Sequence, residues 1–261
     1  MVRSLAGKAD WHDIDYSGTQ GGGSAALMPL PVQGKTMISI TAGMTERYSR
    51  TPFGVLALRG YQESAGGLRR FREQADSELA KLRQTHGNRD RKALVDADHT
   101  LAAYVRYYKK FKKTYHVLPQ IESALNGKSL PDAPGLIQAL LLAELTTSLL
   151  IAGHDLQHLT LPLTIDVSQG NEHYLAAGDR DVQPKLNDIC LKDRDGIILS
   201  IIYGQDDKSR ITDTTRDVLF FIDGVPGIEH AVMEAGLDHL LDLLRTLCPD
   251  VGVEYHSIIE A

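Results

Sequence analysis

Three features of the sequence predict an α+β fold. Apolar residues recur at helical spacing through the first half, roughly residues 74–151, while short β-branched runs separated by turn residues crowd residues 161–222. Hydrophobic residues make up 43% of the chain, enough for a substantial core. Helices gathered before strands favour a mostly antiparallel sheet over an alternating parallel one. At 261 residues, a single domain with some elaboration is the expected organisation.

The elements follow in order. Residues 1–36 hold Gly21, Gly22, Gly23 and Ser24, then Pro29 and Pro31, without sustained periodicity, and read as a flexible leader to one domain over 37–261. A short strand is expected at Met37 and another over 53–58. Helices are expected over 74–86 and 90–111, where Leu79, Leu82, Leu94, Leu101, Tyr104 and Val105 keep helical spacing, with a joint near Gly87 and Asn88. A shorter helix over 118–125 stops at Asn126 and Gly127, residue types that favour a left-handed terminus. Pro131, Pro134 and Gly135 open a long apolar helix reaching about Ile151, which Gly153 closes. Strands are expected over 161–167, 173–175, 187–191, 196–203 and 218–222, with turn chemistry at Asp193, Arg194, Asp195 and Gly196. An amphipathic helix over 228–247 and a strand over 251–258 complete the chain.

The net charge of -6 means that the surface as a whole repels a polyanion, so any nucleic-acid contact must use a local patch. Cys190 and Cys248 stand far apart in no metal-like pairing, which suits a reducing compartment, and the cytoplasm is expected. The first residues carry Lys8, Asp10, Asp13 and Asp15 and no apolar signal-peptide core. The richest apolar run, 136–152, is broken by Gln138, Glu144, Thr146, Thr147 and Ser148, too short and too polar to span a bilayer. Neither a membrane nor DNA is an expected partner.

Three segments carry candidate chemistry. Tyr104, Arg106, Tyr107, Tyr108, Lys109, Lys110, Phe111, Lys112, Lys113 and Tyr115 interleave cations with rings, as phosphate contact plus base stacking would require. The same pattern describes a helix end whose lysines offset the macrodipole while its aromatics enter the core, and both readings stand. His154 and His158 are four residues apart around Asp155, and on a helix such a pair can share a zinc; Gly153 just before them argues for a loop or helix start, and no metal is expected. Gly204, Gln205, Asp206, Asp207, Lys208, Ser209 and Arg210, followed by Thr212, Asp213, Thr214 and Thr215, form a polar stretch between strands, either one wall of a small-molecule site or a solvated hairpin loop. No nucleophile elbow, phosphate loop or dinucleotide fingerprint is present, and no cofactor is expected.

Taken in order, several short pieces resemble the B3/4 domain family, related to the editing region of the phenylalanyl-tRNA synthetase β subunit. They are Tyr108-Lys109-Lys110-Phe111, Pro119 with Glu122, Asn126-Gly127-Lys128-Ser129-Leu130-Pro131, Gly153-His154-Asp155-Leu156, and Gln205-Asp206-Asp207 followed by Thr212, Thr215 and Asp217-Val218-Leu219-Phe220-Phe221. The resemblance covers about residues 95–225. It implies a stand-alone member of the family with strands around a central pocket and, in the synthetases, hydrolysis of tyrosine wrongly attached to phenylalanine tRNA. It further implies a catalytic pair, His154 and Asp155, a substrate set of Gly153, Glu122, Gln205, Asp206, Asp207 and Thr212, and RNA contacts at Arg106, Lys109, Lys110, Lys112 and Lys113. Ala152 stands where the synthetases carry a histidine, and Phe221 where they carry an acid; neither can donate, accept or titrate. Two functions follow as expectations: tRNA or aminoacyl-tRNA binding with trans-editing, and binding of a free amino acid or amino-acid-like ligand in the same pocket.

Overall fold

The computed structural model describes residues 37–261; the leader expected over 1–36 lies outside them. The fold is α+β, with β1 (Ile38–Ile40), α1 (Ala42–Arg47), β2 (Pro52–Arg59), α2 (Ala65–His86), α3 (Arg91–Ala97), α4 (His99–Lys110), α5 (Val117–Leu125) and α6 (Gly135–Thr147) in the first half. The second half holds β3 (Ile151–Asp155), β4 (Leu163–Val167), β5 (Tyr174–Ala176), β6 (Arg180–Val182), β7 (Ile189–Asp193), β8 (Gly196–Ser200), β9 (Gly204–Gln205), β10 (Val218–Ile222), α7 (His230–Leu247) and β11 (Gly252–Glu260).

Two main sheets form, ordered β1-β4-β7-β8-β9 and β11-β2-β10-β3, with β5 and β6 as a small hairpin. All pairings are antiparallel except β1 with β4. Strands β10 and β3 are buried at every position and β2 at all but its last, the pattern of strands covered on both faces, which is why they read as continuous apolar runs. Helices α6 and α7 pack on each other and against β3 and β2 respectively.

Three expected boundaries are corrected. The helix over 90–111 is two helices, because Asp98 takes an extended conformation and its carboxylate accepts from the Leu101 amide at 3.0 Å and from the Ser148 hydroxyl at 2.7 Å. The cap overrides the apolar period, since an aspartate bonded to its own helix start favours a break over continuation. The helix expected to reach Ile151 ends at Thr147, where Ser148 turns left-handed (φ 59°) and the buried Glu144 carboxylate accepts the Ile151 amide at 2.9 Å. Residues 151–155 are therefore strand, and Gly153 sits inside it instead of ending a helix. Helix α2 starts at Ala65, well before residue 74, since Ser64 caps the Gly67 amide at 3.0 Å ahead of the Leu68, Phe71, Ala75 and Leu79 stripe.

Candidate functional site

Strand β3 is the edge of its sheet, with His154 opposite Leu219 and Asp155 opposite Val218 of β10. Its free side meets the segment after β9: the Asp155 amide donates to the Ser209 carbonyl at 2.8 Å, and the Gln205 side-chain amide reaches the carbonyls of Gly153 at 2.8 Å and Ser209 at 3.1 Å. The two sheets are thereby stitched edge to edge. A side chain at Gly153 would have its Cβ 2.6 Å from Ile211 Cδ1 and 3.1 Å from Phe220, so the strand approaches its neighbours only because this position is glycine.

Side chains alternate along a strand, and His154 points away from Gly153 and Asp155. His154 Nδ1 lies 2.7 Å from Ser209 Oγ, which itself donates to Asp206 Oδ1. Because the serine has one proton and gives it to the carboxylate, Nδ1 must be the protonated histidine nitrogen, leaving Nε2 bare. Nε2 and Asp206 Oδ2 are both buried without a hydrogen-bond partner among the described residues. Burial lowers the His154 pKa to about 3 and raises that of Asp206 to about 6. The resemblance places this histidine beside an open central pocket; the structure seals it at 0% exposure within a closed relay. A general base needs hydrogen-bond reach to the proton it removes, and His154 has no approach from solvent. Replacing Ser209 with alanine strands Nδ1 and Oδ1 together, and should cost about 2 kcal/mol in urea unfolding. An unchanged midpoint would show that the relay contributes nothing.

Asp155 faces the other way. Its carboxylate accepts from the Thr215 hydroxyl at 2.7 Å and from the Gln157 amide at 3.0 Å, capping a 3₁₀ turn over Leu156–His158. His158 is exposed on that turn, so strand and turn geometry separate the two histidines that a helix would have aligned. Among the described residues no cluster of three or more His, Cys, Asp or Glu is placed to hold a metal.

The remaining expected residues divide. Asp207 accepts from the Gly178 amide at 3.1 Å and pairs with Arg210 at 3.3 Å, bracing the β5–β6 hairpin. Glu122 is removed from this cluster: it grips Arg91 with both oxygens and ties α5 to the start of α3, a structural clamp in place of the expected substrate contact. In the basic-aromatic stretch the core reading holds for the rings. Tyr104, Tyr107, Tyr108 and Tyr115 are buried, their hydroxyls bonded to Asp223, Asp188, Ile201 and Ser148 respectively, so none can stack on a base. Arg106, Lys109, Lys110, Lys112 and Lys113 remain exposed.

Thr212, by contrast, lines an open cleft of about 280 Å³ with Tyr61, Gln62, Glu63, Pro134, Leu136, Asp213, Thr215 and Arg216. Leu136 and Pro134 supply the apolar part of its lining, Arg216, Asp213 and Thr212 are exposed, and Arg216 Nη1 donates to the main-chain carbonyls of Asp213 and Thr215 at 3.0 Å. Glu63 is held in place by the Tyr61 hydroxyl at 3.0 Å and the Gly135 amide, the first of α6, at 3.1 Å. The Thr215 to Asp155 bond connects the cleft to β3. Sequence reading missed Tyr61, Glu63 and Arg216; the one available signal was the polar stretch just before the β10 run. The cleft adjoins the start of β10, whereas Tyr104 of α4 bonds beyond its end, at Asp223. Helix α6, with 13 residues and thus about 20 Å long, runs from the cleft at Leu136 toward the Ser148 contact of Tyr115.

No protein-family model matches the chain, and no curated protein does. The fold is similar to that of a solved structure, an N-terminal fragment of the phenylalanyl-tRNA synthetase β-subunit from Pyrococcus horikoshii, with a TM-score of 0.50 and 9% identity. The match covers 90% of this chain and 58% of that one. At this identity the likeness is one of fold.

Proposed function

We propose that the protein is a binding module of the B3/4 type whose cleft between residues 61–63 and 212–216 takes an amino acid or an amino-acid-like ligand. The observation that carries this reading is the cleft's own chemistry: a guanidinium, Arg216, and a carboxylate, Asp213, line the same cleft as the apolar Leu136 and Pro134. An α-carboxylate on Arg216, an ammonium on Asp213 and a side chain against the apolar residues would satisfy all three. A volume near 280 Å³ suits a small ligand. The synthetase in the comparison is named for an amino acid and its tRNA, which adds support for a ligand of aminoacyl chemistry on this fold.

Trans-editing is the weaker reading, because His154 is sealed and Ala152 and Phe221 offer no substitute acid or base. The cations expected to meet tRNA lie at the far end of α6, so the cleft's ligand need not be joined to a nucleic acid. Most buried apolar residues join one hydrophobic cluster from Met37 to Val251, with a second, small cluster around Tyr174, Val182 and Cys190, which supports a single domain over 37–261.

Thermal-shift screening with the standard amino acids tests the reading. A ligand at a hundred times its dissociation constant should add about 2.7 kcal/mol, and Arg216→Ala should abolish the shift. No shift with any amino acid, or one that survives Arg216→Ala, would count against the cleft.

A further inference from the structure

The edges of the two main sheets are not alike. In the first, the edge strands β1 and β9 have three and two residues, and in the second β3 is covered by the segment after β9. The other edge of the second sheet is β11, nine residues long and paired on one side only among the described residues. Natural edge strands of such length are blunted by lysines, prolines or bulges. Strand β11 has one bulge, between Val253 and Tyr255 near its start, and no lysine, arginine or proline. Its glutamates Glu254 and Glu260 meet Arg59 at 3.1 Å and His230 at 3.4 Å, and residues 255–259 between them carry no carboxylate.

Pro52 fixes which backbone groups of β11 face outward. It stands opposite Glu260 and has no N–H to give, so that pair is of the non-hydrogen-bonded kind, and the next amide, that of Ala261, donates to the Thr51 carbonyl at 3.1 Å. Alternation along the strand then turns the amides and carbonyls of Ser257 and Ile259 toward β2, and those of His256, Ile258 and Glu260 away from it. The Ile258 carbonyl accepts the Ser257 hydroxyl at 3.3 Å and keeps a second lone pair open. Helix α7 reaches this strand through Asp238, 2.9 Å from His256, yet His256 and Glu260 are exposed and Ile258 is half-buried, so the edge itself is open.

We propose that β11 pairs antiparallel with β11 of a second copy of this chain about a twofold axis at Ile258, joining two four-stranded sheets into one continuous sheet. In this register Ile258 stands opposite Ile258, and His256 opposite Glu260 of the second copy, twice by symmetry. Every residue so opposed faces outward and can exchange backbone hydrogen bonds with its mate. Sliding the pair by two residues sets Glu260 against Glu254 or against Ile258, which opposes like charges or desolvates a carboxylate beside an apolar side chain. Charge therefore selects the register. An unrelated peptide could use the open backbone alone, but a second copy also supplies the carboxylate for His256 and the isoleucine for Ile258.

Sedimentation equilibrium of the full chain over a range of concentrations tests the proposal, and a monomer–dimer equilibrium is expected. His256→Pro removes an outward amide that β2 does not use, and should weaken the dimer by about tenfold or more. Thermal unfolding followed by circular dichroism reports whether that variant folds. Cysteines read the register independently. Ile258→Cys should cross-link to itself under mild oxidation, because directly opposed hydrogen-bonded residues have Cα atoms about 5.5 Å apart. Ser257→Cys should not, because it meets itself only diagonally, at about 7–8 Å. Cys190 and Cys248 are buried, and the unsubstituted chain gives the background. A chain that sediments as a monomer throughout, a folded His256→Pro variant that dimerises like the wild type, or faster cross-linking through Ser257→Cys would overturn the proposal.

Discussion

Replacing Gly67 with alanine should destabilise the protein by about 3 kcal/mol or more, whereas the same change one residue earlier, at Gly66, should stabilise it slightly. Both glycines lie in the first turn of α2. A Cβ on Gly67 would stand 2.1 Å from the Leu247 carbonyl oxygen and 2.9 Å from its carbon, at the end of α7. Those are backbone atoms, so relief requires moving one helix against the other. A Cβ on Gly66 meets nothing closer than the Arg70 guanidinium at 3.5 Å, a flexible side-chain end. Helix propensity alone favours alanine at both positions by up to about 1 kcal/mol, so a loss at Gly67 must come from the α2–α7 contact. Urea unfolding of the two variants checks this; equal stabilisation of both would mean that the helices do not approach as described.

Glu144→Gln should raise stability at alkaline pH by an amount on the order of 4 kcal/mol, and should leave it nearly unchanged below pH 4. Glu144 is buried on α6, and burial raises its pKa from 4.5 to about 8. The folded state therefore holds a proton that the unfolded chain releases above pH 4.5. Stability from this group is complete below 4.5, falls as pH rises, and is lost once pH exceeds about 8. Glutamine keeps a carbonyl oxygen for the Ile151 amide and cannot ionise, so the slope over that window should flatten. His154, lowered to about 3, has the opposite dependence: the unfolded chain gains a proton below 6.5 that the folded state refuses until about 3. Unfolding free energies measured from pH 4 to pH 9 separate the two groups. A variant that keeps the wild-type alkaline slope would remove Glu144 as its source.

Much of the fold was legible because it rests on local signals. The buried strands Val218–Ile222 and Pro52–Arg59 announced themselves as unbroken apolar runs, since both their faces are covered. Helix α7 and strand β11 followed from periodicity within a couple of residues. The errors share one cause, which is that a side chain at one position decided the backbone at another. Asp98 split a helix through its bonds to Leu101 and Ser148, and Glu144 ended one by holding Ile151.

The candidate site was less legible for the same reason. Thr212 lines a cleft apart from His154, Gln205 and Asp206, and its partners there, Tyr61 and Glu63, stand some 150 residues earlier in the chain and carry no motif. His154 was singled out as a reactive group, yet reactivity depends on what surrounds the imidazole. Ser209 and Asp206 close around it, and burial keeps it neutral. The tyrosines of α4, with Tyr115 just beyond it, show the other side of this. Their type and spacing served core packing and base stacking equally well, and only the acceptors waiting at Asp223, Asp188, Ile201 and Ser148 decided between them.

What the sequence determined by itself was the α+β class, most of the elements and the presence of a local cationic segment, because these depend on composition and on period along the chain. The tertiary structure alone decided that the histidine is enclosed, that the open cleft lies beside Arg216, and that the rings of α4 are buried while its cations stay exposed. Burial and charge proximity are properties of distances between residues far apart in the chain, and those distances exist only once the sheets and helices have packed.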